Sequence, residues 1–401
     1  MSVAAPAVIR VGLVGCGGFA RFAVGQYRKL PGVSLEAVAD VDPTAAERAA
    51  ADLDAAVLPP AEVLAHPALD LIYIATPPAY HFEQAAAALA AGHHVLVEKP
   101  LATTADQARE LERRAAEQGL ACVANLLERY TPLAETVRRL LASRLLGDLV
   151  HGLFVNEAAD EGLGSGHWFW DRSISGGIFV EHGVHFFDLV SSWLGAGHVV
   201  AAARSIRRPS FSLDTGAGVG AECVEEQAVC TCRYQADHAV VAPGEHPRPQ
   251  GGILFHFEHG FHQPTLLDRQ EMRLVFERGE VRLFDWVPTR GWLRALVDDE
   301  TAAALTAFLP RAAVRSTEPL AGGGRMVRGR FREWRATSVV EIDFSSGGDK
   351  MAVYAAAVRD LAADQIAWIR DPSHARRLTE ADSVAAVAPA CEADQLARSA
   401  D

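Results

Sequence analysis

The chain has 401 residues, 49% hydrophobic and 22% charged, with 33 Gly and 20 Pro. This is an ordinary globular composition, long enough for two domains that each bury a core. A formal net charge of -13 argues against nucleic-acid or anionic-membrane binding. No apolar run reaches the ~18 residues of a membrane span, and no charged region precedes an apolar stretch at the N-terminus, so the expected setting is a reducing cytoplasm.

Val8–Val14 is an apolar run that leads into Gly15-Cys16-Gly17-Gly18-Phe19-Ala20, a G-x-G-x-x-A match. A helical pattern follows to Leu30, then a second strand, Val33–Ala39, closed by Asp40. Gly15 permits the tight turn, Gly17 lets backbone approach a pyrophosphate, and Ala20 lets helix and strand pack closely. The helix N-terminus, with Gly18 and Phe19, carries the phosphate charge. Asp40 stands where a carboxylate accepts from the adenosine ribose hydroxyls. Asp40-Val41-Asp42 contains two acids and no arginine. It would repel a 2′-phosphate, so NAD is favoured over NADP.

The βα alternation continues. Pro43–Leu53 is expected as a helix capped by Asp42, Leu71–Ala75 as a buried strand, Thr76-Pro77-Pro78 as a turn and Ala79–Ala91 as a helix. Val95–Val97 is a short buried strand ending in Glu98-Lys99-Pro100, Thr104–Gln118 a helix closed by Gly119, and Leu120–Ala124 a sixth apolar run. The expected fold class is α/β: a six-stranded, doubly wound parallel sheet over residues 1–124, then an α+β domain over 125–401. In such sheets ligands bind beyond the carboxyl ends of the strands. Thr76, Pro77, His81, Glu98 and Lys99 all fall there, beside the dinucleotide.

The pattern changes after Asn125. A helix is expected from Pro132 to about Leu146, then strands Leu149–Asn156, Glu226–Tyr234, Gly252–Phe257, Glu271–Glu277, Glu280–Trp286 and Val339–Phe344, with a hairpin at Glu277–Glu280. Met351–Ile369 is an amphipathic helix, and Ala385–Arg398 is expected as a weaker, exposed tail. Cys16, Cys122, Cys223, Cys230, Cys232 and Cys391 show no zinc spacing. The Cys230-x-Cys232 pair on a strand points both thiols to one face, as buried small hydrophobes.

Within Ser175–Gly195, two glycines open an apolar segment carrying Glu181, His182, His185 and Asp188. On a helix, Glu181 and His185 share a face. An acid beside a histidine fixes its tautomer, which a general base needs. Trp168, Trp170 and Asp171 precede it. Indole faces beside a carboxylate suit the C–H faces and hydroxyls of cyclic polyols. His256, His259 and His262 are expected to be strand and turn histidines, not a metal site, and no metal is expected elsewhere. Arg311, Arg315, Arg325, Arg328, Arg330, Arg332 and Arg335 form a basic stretch. It reads either as a solvated face or as a clamp for a phosphate or nucleotide on the substrate.

The stretches GLVGCGGFA with AVADVDP, IATPPAYHFEQAAAALAAGHHVLVEKPLATT, NLLERYTPLAETVRRLLASRLLGD and SGGIFVEHGVHFFDLVSSWLG together resemble the Gfo/Idh/MocA family of NAD(P)-dependent oxidoreductases. The resemblance covers residues 8–200 well and the C-terminal sheet loosely. It implies a Rossmann domain followed by an α+β domain with a large, open, mostly antiparallel sheet, often used to form homodimers or homotetramers. Lys99 is similar to the family's catalytic lysine and His185 to the histidine of its D-x-x-x-H motif. Glu181 stands where that motif has aspartate. Arg129 and Pro132 match a motif read as structural, and Arg129 also lies with His182, Trp168, Trp170 and Asp171 on the substrate side. The implied activity is NAD-dependent hydride transfer with a secondary hydroxyl or ketone of a sugar, sugar derivative or cyclitol. His185 would act as base, Lys99 would stabilise the alkoxide, and Glu181 would orient His185. A redox-assisted glycosidase, a cofactor-retaining sugar oxidoreductase and a non-catalytic NAD-binding sugar sensor are the alternatives on this fold.

Overall fold

The computed structural model describes residues 8–159, 163, 167–206, 224–235, 252–329 and 333–399. The first unit runs β1 (Ile9–Val14), α1 (Gly18–Tyr27), β2 (Val33–Ala39), α2 (Pro43–Leu53), β3 (Ala56–Val57), α3 (Pro60–Leu64), β4 (Leu71–Ile74), α4 (His81–Ala90), β5 (His94–Val97), α5 (Ala105–Gln118) and β6 (Cys122–Ala124). The strands form one parallel sheet in the order β3-β2-β1-β4-β5-β6. β1, β4 and β5 are buried almost throughout, as strands covered by helices on both faces must be. Asp42 caps α2 through Thr44 N–H, and Thr104 caps α5 through Gln107 N–H. Gly119 closes α5 in the left-handed conformation at φ +66°. β3 is a two-residue edge strand with both side chains exposed, so no apolar run announces it.

The second unit starts with α6 (Pro132–Ser143) and β7 (Leu149–Ala159). It continues through α7 (Arg172–Ser175), a π-turn over Phe179–Gly183 and α8 (Val184–Leu194). Then come β8 (Gly197–Ile206), β9 (Glu225–Tyr234), β10 (Ile253–Gln263), β11 (Arg269–Phe276), β12 (Gly279–Phe284), β13 (Arg290–Val297), α9 (Asp299–Phe308), β14 (Ala313–Pro319), β15 (Arg325–Arg328), β16 (Glu333–Ala336) and β17 (Ser338–Ser345). The chain finishes with α10 (Lys350–Arg370) and α11 (Glu380–Ser399). Nine strands make one sheet, β14-β17-β13-β12-β11-β7-β10-β9-β8. Only β7 and β10 pair in parallel. Cys230 and Cys232 are buried on one face of β9.

One expectation is corrected here. The C-terminal stretch is not an exposed tail. α11 buries Ala386, Val387, Ala390, Ala393 and Ala397 against β8, α8 and α5. Its polar residues also satisfy the free N–H groups of two edge strands. Glu380 accepts from Cys122 N–H (3.0 Å) and Ser383 Oγ from Ala124 N–H (3.1 Å) on β6; Glu392 accepts from Val199 N–H (3.1 Å) on β8. The run of small alanines lets the helix lie close to both sheets, which a hydrophobicity pattern alone does not reveal. The returning chain also packs on the first unit. α10 packs on α1, and α11 packs on β6.

Candidate active site

The dinucleotide loop is built as its sequence requires. Gly15 sits at φ +92°, and a Cβ there would lie 2.5 Å from the Ala75 carbonyl oxygen. A Cβ on Gly17 or Gly18 would meet nothing within 4 Å. The α1 N-terminus is therefore open to a bulky anionic group, and the residues present fit a dinucleotide. Asp40 closes β2 with both oxygens fixed by backbone, accepting from Cys16 N–H (2.6 Å) and Asp42 N–H (2.9 Å).

Lys99 follows β5. Its ammonium crosses to the second unit and donates to the Glu181 carbonyl (2.9 Å) and to the Glu181 carboxylate. The expected pairing of Glu181 with His185 does not form. In the π-turn the hydrogen-bonded partners are five residues apart, so the i,i+4 spacing no longer stacks these two side chains. His185 is held instead by Glu128, whose carboxylate lies 2.8 Å from Nδ1. Both are buried, His185 at 2% exposure and Glu128 at 0%. His185 Nε2 and Glu128 Oε1 have no hydrogen-bond partner among the described residues. Glu128 comes from the turn Leu127–Tyr130, and no local spacing links it to His185.

His182 lies beside this group, its Nδ1 3.3 Å from Nδ1 of His259. Alternation along β10 separates the three histidines of that strand: His259 points inward with Phe255, Phe257 and Phe261, while His256 and His262 point out. A period-2 count applied to FHFEHGFHQ would have found it. Trp286 meets His185 edge-on at 5.2 Å and Tyr354 at 5.4 Å. Tyr354 in turn touches Phe22 and Phe19 of α1. Aromatic rings thus connect the helix of the dinucleotide loop to His185.

Other expected site residues are already committed. His81 has each ring nitrogen 2.7 Å from a backbone carbonyl oxygen, of Pro100 and Thr76. It ties two turns together and has no nitrogen left for a cofactor. Thr76 Oγ1 is bonded to Gln84 at 2.7 Å. Glu98 accepts from the Tyr73 hydroxyl and from Asn125 Nδ2, and burial raises its pKa despite these bonds. Arg129 is buried against Asp188 in a two-pronged ion pair and also donates to the Arg377 carbonyl. Its guanidinium is committed to partners within the protein, as a clamp between the segments of Asp188 and Arg377. Asp171 accepts from Ser173 N–H (2.9 Å) and Oγ (2.6 Å) as the cap of α7. Trp168 and Trp170 stay half-exposed beside Phe169, which packs on Phe261 at 5.0 Å; Phe261 meets His182 at 5.1 Å.

The arginines lie elsewhere. Arg315 pairs with Asp343 on the edge of the nine-stranded sheet, and Arg325, Arg328 and Arg335 sit on the β15–β16 ribbon. Arg330 and Arg332 fall outside the described residues. No cluster of three metal-ligating side chains occurs among the described residues.

The histidine pair makes stability pH-dependent. Burial holds His259 at about 3 and His182 well below the ordinary imidazole value. Unfolded, each ring takes a proton below about pH 6.5. Folded, neither does until much lower pH. Stability therefore falls as pH drops from about 6.5 toward 3, by up to about 1.4 kcal/mol per pH unit for each ring. Asp188, raised by burial to about 6, and Glu98, also raised, oppose this at the lower end because the folded state binds their protons first. The urea midpoint is expected to fall from pH 7.5 to 5.5, and to fall less in His259→Leu. Equal slopes in the two proteins would contradict this account.

Residues 9–126 match the family described as "Oxidoreductase family, NAD-binding Rossmann fold", and residues 134–282 match "GFO/IDH/MocA C-terminal domain". D-xylose 1-dehydrogenase (NADP(+)) of Hypocrea jecorina is 32% identical over 131 residues, 31% of this chain and 34% of that protein. dTDP-3,4-didehydro-2,6-dideoxy-alpha-D-glucose 3-reductase of Saccharopolyspora spinosa is 37% identical over 148 residues, 35% of this chain and 43% of that protein. The matched stretches thus span less than half the length of these relatives. Levoglucosan dehydrogenase, solved with NADH and L-sorbose, superposes with a TM-score of 0.72 over 98% of this chain and 97% of that one, at 15% identity. At that identity the likeness shows a shared fold.

Proposed function

The chain belongs to the GFO/IDH/MocA oxidoreductase family, and on that premise we propose that it is an NAD-dependent dehydrogenase or reductase. It moves a hydride between nicotinamide and a secondary hydroxyl or ketone of a sugar, sugar derivative or cyclitol. The observation that carries this is the bond from Lys99, after the end of β5, to Glu181 of the second unit, on the turn that carries His182 and leads into His185.

Gly15, Gly17, Gly18 and the α1 N-terminus hold the pyrophosphate, and Asp40 receives the ribose. Bound there, the nicotinamide accepts the hydride in oxidation and returns it in reduction. The protein's part is acid–base and electrostatic. His185 takes the hydroxyl proton through Nε2. Lys99 sets its charge against the developing alkoxide, and Glu181 holds the ammonium in place. Trp168 and Trp170 offer ring faces to the substrate.

The relatives act on a pentose and a deoxyhexose nucleotide, which supports a sugar-class substrate. The free thiols of Cys16, Cys122, Cys230 and Cys232 support a reducing, cytoplasmic setting. The nine-stranded sheet offers a surface on which copies of the chain can pair. NADH absorbance on mixing the protein with NAD and a panel of sugars and cyclitols, and with NADH and the matching ketones, tests the activity. No turnover in either direction would refute it.

Cofactor choice has its own test. Asp40→Arg removes a carboxylate from the ribose and supplies a cation for a 2′-phosphate. The ratio of kcat/KM for NAD to that for NADP is expected to fall by about 10- to 100-fold, the worth of one charge-assisted hydrogen bond. An unchanged ratio would remove Asp40 from the ribose.

A further inference from the structure

We propose that Glu128 is a positioning residue of the reaction: it fixes the proton of His185 on Nδ1 and turns the Nε2 lone pair to the substrate hydroxyl. This rests on the dehydrogenase reading above. A neutral imidazole has one donor nitrogen and one acceptor, and an ionised carboxylate only accepts. With Glu128 Oε2 2.8 Å from Nδ1, the bond requires the proton there. Nε2 is then the lone-pair nitrogen, and it is the ring atom with no partner among the described residues.

Rotation of the ring is restrained from several sides. Trp286 stands at 89° to it with centroids 5.2 Å apart, and the His182 ring lies 6.1 Å away at 70°. Glu128 is itself anchored by its backbone: its carbonyl accepts from Thr131 Oγ1 (2.8 Å) and Thr131 N–H (3.0 Å), at the cap of α6.

Two acid–base pairs therefore divide the work. Glu181 serves Lys99, and Glu128 serves His185. When substrate is oxidised, its proton moves to Nε2 and the O–H electron pair stays on oxygen. The imidazolium that results is stabilised by Glu128 across the Nδ1–H bond. Glu128 touches neither substrate nor cofactor in this scheme and acts only through His185.

The test uses Glu128→Gln and Glu128→Asp in the full chain. In ¹⁵N histidine NMR of the protein without substrate, His185, assigned by loss of its signals in His185→Phe, is expected as the Nδ1–H tautomer. In Glu128→Gln, whose amide can turn its NH₂ to Nδ1, the Nε2–H form is expected to gain. Glu128→Gln is expected to lower kcat by about 10²- to 10⁴-fold, with KM and NAD affinity within about threefold, and Glu128→Asp to recover part of the loss. An Nε2–H tautomer in the unaltered protein, or unchanged kcat in a folded Glu128→Gln, would overturn the proposal. If no substrate turns over at all, the dehydrogenase reading fails, while the tautomer measurement still decides the role of Glu128.

Discussion

Lys99→Met is expected to lower kcat by about 10³-fold or more while NAD affinity, read by NADH fluorescence, stays within about threefold. In the proposed reaction the lysine sets its charge against the reacting oxygen, and methionine keeps its length without its charge. Removing one donor from a site of developing negative charge costs about 10²- to 10³-fold, and losing acid–base assistance adds to it. Lys99 stands after β5, whereas the phosphates meet the loop after β1, so binding and chemistry separate cleanly. The substitution leaves the Glu181 carboxylate without its ammonium, so a thermal melt should accompany the kinetics. Turnover within tenfold of the parent protein would refute the assignment of Lys99.

Asp188→Ala is expected to cost about 3–5 kcal/mol of stability at pH 8, the penalty for breaking a buried ion pair, even though Asp382 stays 3.3 Å from the Arg129 guanidinium. Arg129 is 6% exposed and Asp188 0%, so water cannot replace the lost carboxylate. The pair joins the Leu127–Tyr130 turn to α8, and the bond from Arg129 to the Arg377 carbonyl ties in the start of α11. Asp188→Asn keeps one acceptor oxygen for the guanidinium and should lose less. If Arg129 instead held substrate, Asp188→Ala would raise KM with little change in the urea midpoint. That result would contradict the clamp.

The first sheet was legible because each part carries its own local signal. Gly15 marks the turn after β1, Asp42 and Thr104 cap helices, and Val95–Val97 is too short and too apolar for anything but a buried strand. Lys99 and His185 were reachable for the same reason, since each sits at a fixed place on an element. The partnerships were not. Glu181 and His185 read as one pair because an α-helix was assumed, and a single π-turn separated them. Glu128 and Trp286 reach His185, and Tyr354 reaches Trp286, from three distant elements, and only the tertiary arrangement brings them together. Strand β13 escaped notice because Trp292 and Leu296 on its outer face blur the alternation, and β14 and β15 because none of their side chains is buried. His81 misled in the opposite sense: its place after β4 suggested a ligand contact, yet its ring braces the backbone.

α11 has a consequence for how the enzyme fails. One helix terminates hydrogen-bonding on β6 of the first sheet and on β8 of the second. Detaching it would uncover two unpaired strand margins at once, each able to recruit a foreign strand. The same event would untie the two units that must face each other for Lys99 to meet Glu181. Loss of activity and onset of aggregation should therefore share one opening step. Stress that loosens this helix would register first as lost turnover and clumping, while most of the two cores is still folded.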